Sequence, residues 1–156
     1  TAIICEATTH GLKPIFSRAR YRFLFFLEEN GLSMDGVGFT KWFISSPEKE
    51  IPENLAAAGI TSDAFRSFPS GHSTSVGMVL SLTLLPFATQ KFDTKKYNIL
   101  FYMLSFSISL IVMVSRIVAG AHYLSDVCMG FLITLITFLI VRAVVFKISR
   151  KTLFCK

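Results

Sequence analysis

The chain has 156 residues, which fits one domain, and 52% of them are apolar while only 17% are charged. With 16 Phe and a mean hydropathy of +0.56, that composition excludes an ordinary soluble domain and reads as a membrane protein. The net charge of +6 matters less than its distribution, and no nucleic-acid partner is expected. Cys5, Cys128 and Cys155 are too few and too widely spaced for a disulfide framework or a zinc site.

The chain opens on Thr1 and AIICEA, with no charged segment and cleavage site, so this is not a signal peptide. Residues 1–12 read as the last turns of a membrane helix whose beginning is missing. Pro14 suits the first turn of a new short helix, and on it Lys13 and Arg20 would share a face, with Arg18 and Arg22 crowding the same region. Taken alone, such a basic cluster reads as a solvated or headgroup-facing surface. Residues 23–67 are too charged to span a bilayer and too rich in Phe, Leu and Trp42 for a plain linker. Amphipathic pieces in the interface fit them, with Trp42 at headgroup level or with part of the segment as a lid.

Three apolar runs follow, at 69–90, 98–114 and 127–141, the last extended by Leu124 and by AVVF after Arg142. A core of about 30 Å takes roughly 20 helical residues, so three spans are expected. Ser70, Ser73 or Thr74 is suited to cap the first of them. Lys91, Lys95 and Lys96 lie between the first two runs, and Lys147, Arg150, Lys151 and Lys156 follow the third. The positive-inside rule makes that side cytoplasmic. His72, Arg116, His122 and Asp126 then face the other side, with Lys13 and Arg20 if 23–67 does not cross. Basic residues on an outer face call for an explanation, and an anionic ligand supplies one.

Ser115 to Asp126, SRIVAGAHYLSD, places a guanidinium, an imidazole and a carboxylate between two apolar runs, where ionisable groups usually mark a functional site. If the second run is already helical at His122, Asp126 lies one turn further on the same face. The carboxylate would there accept from one imidazole nitrogen and leave the other basic. An Arg–Asp pair joining two helix ends beside an ordinary His explains these residues alone equally well. The combination with Lys13, Arg20 and Ser70-Gly71-His72 favours phosphoryl transfer, which needs positioning and charge neutralisation. Ser70-Gly71 before a helix lets backbone N–H groups approach phosphate, His122 qualifies as nucleophile and His72 as proton donor. The set requires no metal and no cofactor.

These residues resemble the type 2 phosphatidic acid phosphatase superfamily. Its first motif, Lys, six residues, Arg-Pro, is matched by Lys13 to Arg20 with Tyr21 in place of the proline. Its second is Pro69-Ser70-Gly71-His72, and its third Ser115-Arg116, His122 and Asp126. The resemblance implies that Lys13, Arg20 and Arg116 hold phosphate while Ser70 and Gly71 donate to it. It implies further that His122 attacks phosphorus to form a phosphohistidine, that Asp126 supports it, and that His72 protonates the leaving group.

The fold implied is an all-α integral-membrane bundle, of which residues 1–156 form a single domain and the C-terminal part of six helices. The expected protein is a multi-pass enzyme of the plasma (inner) membrane with its site on the extracytoplasmic side. Its partners would be the bilayer and a phosphorylated lipid: phosphatidate, phosphatidylglycerophosphate or a polyprenyl diphosphate. The alternative is a phosphotransferase that passes the phosphoryl group to a lipid or sugar. A vanadate-dependent haloperoxidase is disfavoured by the spans, and a binding protein by the intact His–Asp pair.

Overall fold

A computed structural model describes residues 1–32, 39–41, 43–44, 51, 53–57, 59–84 and 95–154. The positions expected for Trp42, Lys91, Cys155 and Lys156 lie outside them. All regular elements among the described residues are helical: α1 Ala2–Phe16, α2 Tyr21–Glu29, α3 Glu53–Ala57, α4 Gly71–Gly77, α5 Lys95–Val118 and α6 Leu124–Phe154, with 3-10 segments at Ser62–Phe65 and Met78–Leu84.

Helix α1 runs through Pro14 instead of ending before it, which corrects the expectation of a new helix there. Pro14 lies in the last turn, and the helix stops at Ser17, where a φ of 29° turns the backbone left-handed and the hydroxyl donates to the Pro14 carbonyl at 2.9 Å. Lys13 and Arg20 therefore do not share a helix face. Lys13 ends one helix and Arg20, with extended backbone, caps the next.

The connection after Arg20 folds into a small helical cap with its own core. Helix α2 buries Phe23 and Leu27 at a spacing of one turn, and these meet Ala19, Leu55 and Phe65 while Tyr21, Phe25 and Phe26 stay exposed. That is the amphipathic character expected of this stretch. Gly31, at φ 63°, closes α2 by letting Leu32 N–H reach the Leu27 carbonyl at 2.9 Å and Gly31 N–H reach Glu28 at 3.2 Å.

Two helices are long and apolar enough to cross a membrane, Lys96–Val118 and Leu124–Val144, and only 11% and 22% of their apolar windows are buried. A core helix of a soluble protein would be mostly covered. Here Leu104, Phe106, Ile111, Ile136, Leu139 and Ile140 point outward. The third expected span, 69–90, departs from one continuous α-helix within its described part. After Gly77 it tightens to 3-10, with the Ser81 and Thr83 hydroxyls bonded back three residues to the Met78 and Leu80 carbonyls at 2.6 Å.

Inside, small and hydroxylated residues bring the helices close, as lipid-embedded helices require. Thr134 donates to the Thr74 carbonyl at 2.7 Å, Thr74 pairs with Thr9 at 3.1 Å, and Ser105 donates to the Val79 carbonyl at 3.0 Å. The tightest approach is at Gly130 of α6, where a Cβ would lie 2.4 Å from the Ser70 carbonyl. Gly130→Ala must therefore push α4 off α6, and an overpacking cost of about 1–3 kcal/mol is expected. Thermal unfolding in detergent checks this, and an unchanged midpoint would refute the contact.

Candidate active site

The site forms where the ends of α1, α4, α5 and α6 meet the cap. Asp126 lies in the first turn of α6 and is fully buried, so its charge needs partners. Arg18 supplies them: its Nη1 donates to Asp126 Oδ1 at 2.5 Å and to Ser125 Oγ at 2.7 Å, and the pair is 3% and 0% exposed. Asp126 Oδ2 accepts from Ser67 Oγ at 2.5 Å and from Tyr123 N–H at 2.9 Å. The last bond is a helix cap, an acid in the first turn reaching back to the residue before the helix. The Arg18 guanidinium is also stacked 4.0 Å from the Tyr123 ring centroid and 5.0 Å from that of Phe39.

His122 is not held as expected. Helix α6 begins at Leu124, so His122 and Asp126 do not stand one turn apart on a helix, and Nδ1 lies 3.9 Å from Asp126 Oδ2. Its partner is the Ser67 carbonyl, 2.7 Å away. A carbonyl only accepts, so Nδ1 carries the proton and Nε2 keeps a lone pair. Asp126 acts one residue removed, by gripping the hydroxyl of the same Ser67. Burial drives the His122 pKa down from the usual imidazole value to about 4, with the nearby Arg20 charge adding to the shift against the raising effect of the Ser67 bond. His122 is thus neutral at physiological pH.

His72, exposed in the first turn of α4, stands with its ring centroid 6.3 Å from that of His122. It lines a cavity of about 470 Å³ with Lys13, Gly71, Ser75 and Val76, and a Cβ on Gly71 would lie 3.7 Å from Lys13 Nζ. Arg116, half-buried in the last turn of α5, and Arg20 complete the cationic set, since the charges of Arg116, Arg20 and Lys13 all act on His72. Arg20 Nη2 donates to Asp63 Oδ1 at 2.7 Å. Tyr21 is the first residue of α2, a position where proline is favoured because its N–H has no intrahelical partner, and tyrosine starts the same helix.

Ser70 differs from expectation. It is fully buried, its N–H donates to the Asp126 carbonyl at 3.0 Å, and its hydroxyl caps α4 by accepting from Ser73 N–H at 3.3 Å. With that N–H committed, Ser70 braces α4 against α6, and the helix start leaves the N–H groups of Gly71 and His72 without intrahelical partners. Lys13, Arg20, Gly71, His72, Arg116 and His122 come together, and Asp126 lies one layer behind them. Sequence reasoning missed Arg18, Ser67 and Asp63. The signal for Arg18 was a buried carboxylate in need of a cation. Among the described residues no three of His, Cys, Asp and Glu are grouped to hold a metal ion.

Two long apolar helices that expose their sides mark a membrane protein, with a histidine pair and three cations gathered at their ends. The sequence model of the PAP2 superfamily matches residues 1–150, and the chain belongs to that family. It is 29% identical over 123 residues to phosphatidylglycerophosphatase B of Bacillus subtilis (strain 168), a match covering 78% of this chain and 61% of that protein. The chain thus spans less than two thirds of that relative's length. No solved structure matches it.

Proposed function

We propose that this chain carries the active centre of a membrane lipid phosphatase that works through a phosphohistidine on His122. The observation that carries the reading is His122 with Nδ1 bonded to the Ser67 carbonyl, its other nitrogen unprotonated, beside His72 and three cations. Lys13, Arg20 and Arg116 neutralise the phosphoryl oxygens and Gly71 N–H adds a backbone donor. The Nε2 lone pair attacks phosphorus, the P–O bond to the lipid breaks, and His72, protonated once the bound phosphate dianion offsets the surrounding cations, gives its proton to the departing oxygen. Water, deprotonated by the now neutral His72, then cleaves the N–P bond, releasing inorganic phosphate and restoring His122. Side-chain cations do the neutralising, so the reaction is read as metal-independent.

The substrate class follows from the setting. A site at the ends of two lipid-facing helices suits a head group whose tail stays in the bilayer, and the B. subtilis relative is named for such a lipid phosphate. Residues 1–156 are read as one domain. Lys96 and Arg116 stand at opposite ends of α5, about 30 Å apart at about 1.5 Å per residue, so the basic ends at Lys96 and Lys147 lie away from the site. By the positive-inside rule the site then faces the extracytoplasmic side of the plasma (inner) membrane.

The test is phosphate release by the purified protein in detergent and EDTA, from phosphatidate, phosphatidylglycerophosphate and a polyprenyl diphosphate. Release from at least one, inhibited by vanadate, is expected. A strict metal requirement would sink the metal-free mechanism, and phosphate recovered only on an added alcohol or sugar would show a transferase.

A further inference from the structure

Asp63 has no part in that mechanism, yet it is bonded to one of its cations. The 3-10 segment Ser62–Phe65 holds it there by two anchors. Arg20 N–H donates to the Ala64 carbonyl at 2.9 Å, and Phe65 is buried edge-on against Phe23 at 5.1 Å between centroids. The segment is thereby tied to the start of α2, and the Asp63 carboxylate is delivered to Arg20 Nη2 at 2.7 Å. Its charge reaches beyond that bond, acting on Lys13 and His72 as well. Among the described residues two other carboxylates stand nearby and are committed elsewhere: Asp126 to Arg18 and Ser67, and Glu6, whose charge also reaches Lys13, to the Ser75 hydroxyl at 2.7 Å.

A phosphate cradle of two guanidiniums and an ammonium has a chemical drawback. It binds the released phosphate dianion by the same contacts that bind the phosphoryl group of the substrate, so it resists turnover. A carboxylate that offers Arg20 an alternative partner weakens both by about the same factor, and the lipid tail then keeps the substrate bound where the free dianion is released. The Asp63 side chain is 58% exposed while Arg20 is 11% exposed. The carboxylate can therefore swing into water at little cost, whereas Arg20 stays in place. The pair borders a second cavity of about 320 Å³, lined in part by Arg22, Phe26 and Thr61, which gives Asp63 room to leave.

We infer that Asp63 is a built-in competitor for the phosphate seat: it occupies Arg20 in the free protein, yields to the phosphoryl group, and returns to expel inorganic phosphate. The inference rests on the proposed function only in taking Arg20 as a phosphate ligand. Asp63 is a positioning residue, since it never touches the reacting atoms.

The experiment is titration of the purified protein in non-ionic detergent with inorganic phosphate, by calorimetry at constant ionic strength in EDTA. Asp63→Asn and Asp63→Glu are compared with the wild type. An exposed ion pair is worth a fraction of a tenfold change, so Asp63→Asn is expected to bind phosphate about two- to fivefold more tightly. Asp63→Glu, which keeps the charge, should stay close to the wild type. In turnover assays the same factor should appear as a lower inhibition constant for phosphate. Equal or weaker binding by Asp63→Asn overturns the inference while leaving the cradle intact. No phosphate binding by wild type or variant overturns the cradle and the inference together. Tighter binding in a protein that turns over none of the lipids upholds the inference and places the fault in the assignment of the reaction.

Discussion

His122→Ala is expected to lower phosphate release by at least about a thousandfold, because a covalent nucleophile has no substitute among the described residues around it. The alanine also removes the bond to the Ser67 carbonyl, so the loss must be separated from unfolding. His122→Asn does this, since its amide N–H can still donate to that carbonyl while offering no basic nitrogen. Both variants should be inactive, and the asparagine form should melt near the wild type in detergent. Full activity in either refutes the nucleophile. The pH profile supplies an independent reading. Protonation at Nε2 abolishes nucleophilicity, and burial has moved that event down to about pH 4. The rate of the phosphorylation step should therefore show no acid limb from this group near the ordinary imidazole range. A fall centred there as the pH is lowered, in single-turnover measurements, would mean that His122 is not buried as described.

Arg18→Met is expected to cost about 3–5 kcal/mol of stability, a large share of what a domain of this size has to lose. The loss comes from leaving Asp126, 0% exposed, without its cation. Arg18→Lys should recover only part of it, because an ammonium cannot serve Ser125 and Asp126 with one planar group or stack on Tyr123. Removing both charges, as Arg18→Met with Asp126→Asn, should cost less than the sum of the two single changes. Thermal unfolding and the yield of folded protein in detergent measure all three. Additive losses would show that the pair is not coupled.

Much of the proposed site is legible in the chain, because the phosphoryl chemistry proposed for it needs particular groups that occur in local strings. Lys13, Arg20, Gly71, His72, Arg116 and His122 were each chosen from such strings, and the structure brings them to one place. The all-helical character and two of the three spans followed from the length of the apolar runs. The errors share one cause. Local rules place a helix start at Pro14, whereas the turn comes at Ser17, whose φ depends on what its hydroxyl and backbone meet. Helical spacing pairs His122 with Asp126, and a place before a helix implies a free N–H at Ser70. Both depend on a partner distant in sequence, the Ser67 carbonyl in one case and the Asp126 carbonyl in the other.

Apolar run length, charge placement and the chemistry of the three motifs belong to the chain itself, because each is set by residue type and local spacing. Which carbonyl holds the imidazole, which cation neutralises Asp126 and which carboxylate contests Arg20 were decided only by tertiary structure. A buried charge or hydrogen-bonding group takes whatever partner the folded neighbours bring within about 3 Å, and one-dimensional spacing does not specify that neighbour. Arg18 and Arg20 make the point. They lie two residues apart in one basic cluster, yet one is sealed against Asp126 and the other bonds the more exposed carboxylate of Asp63.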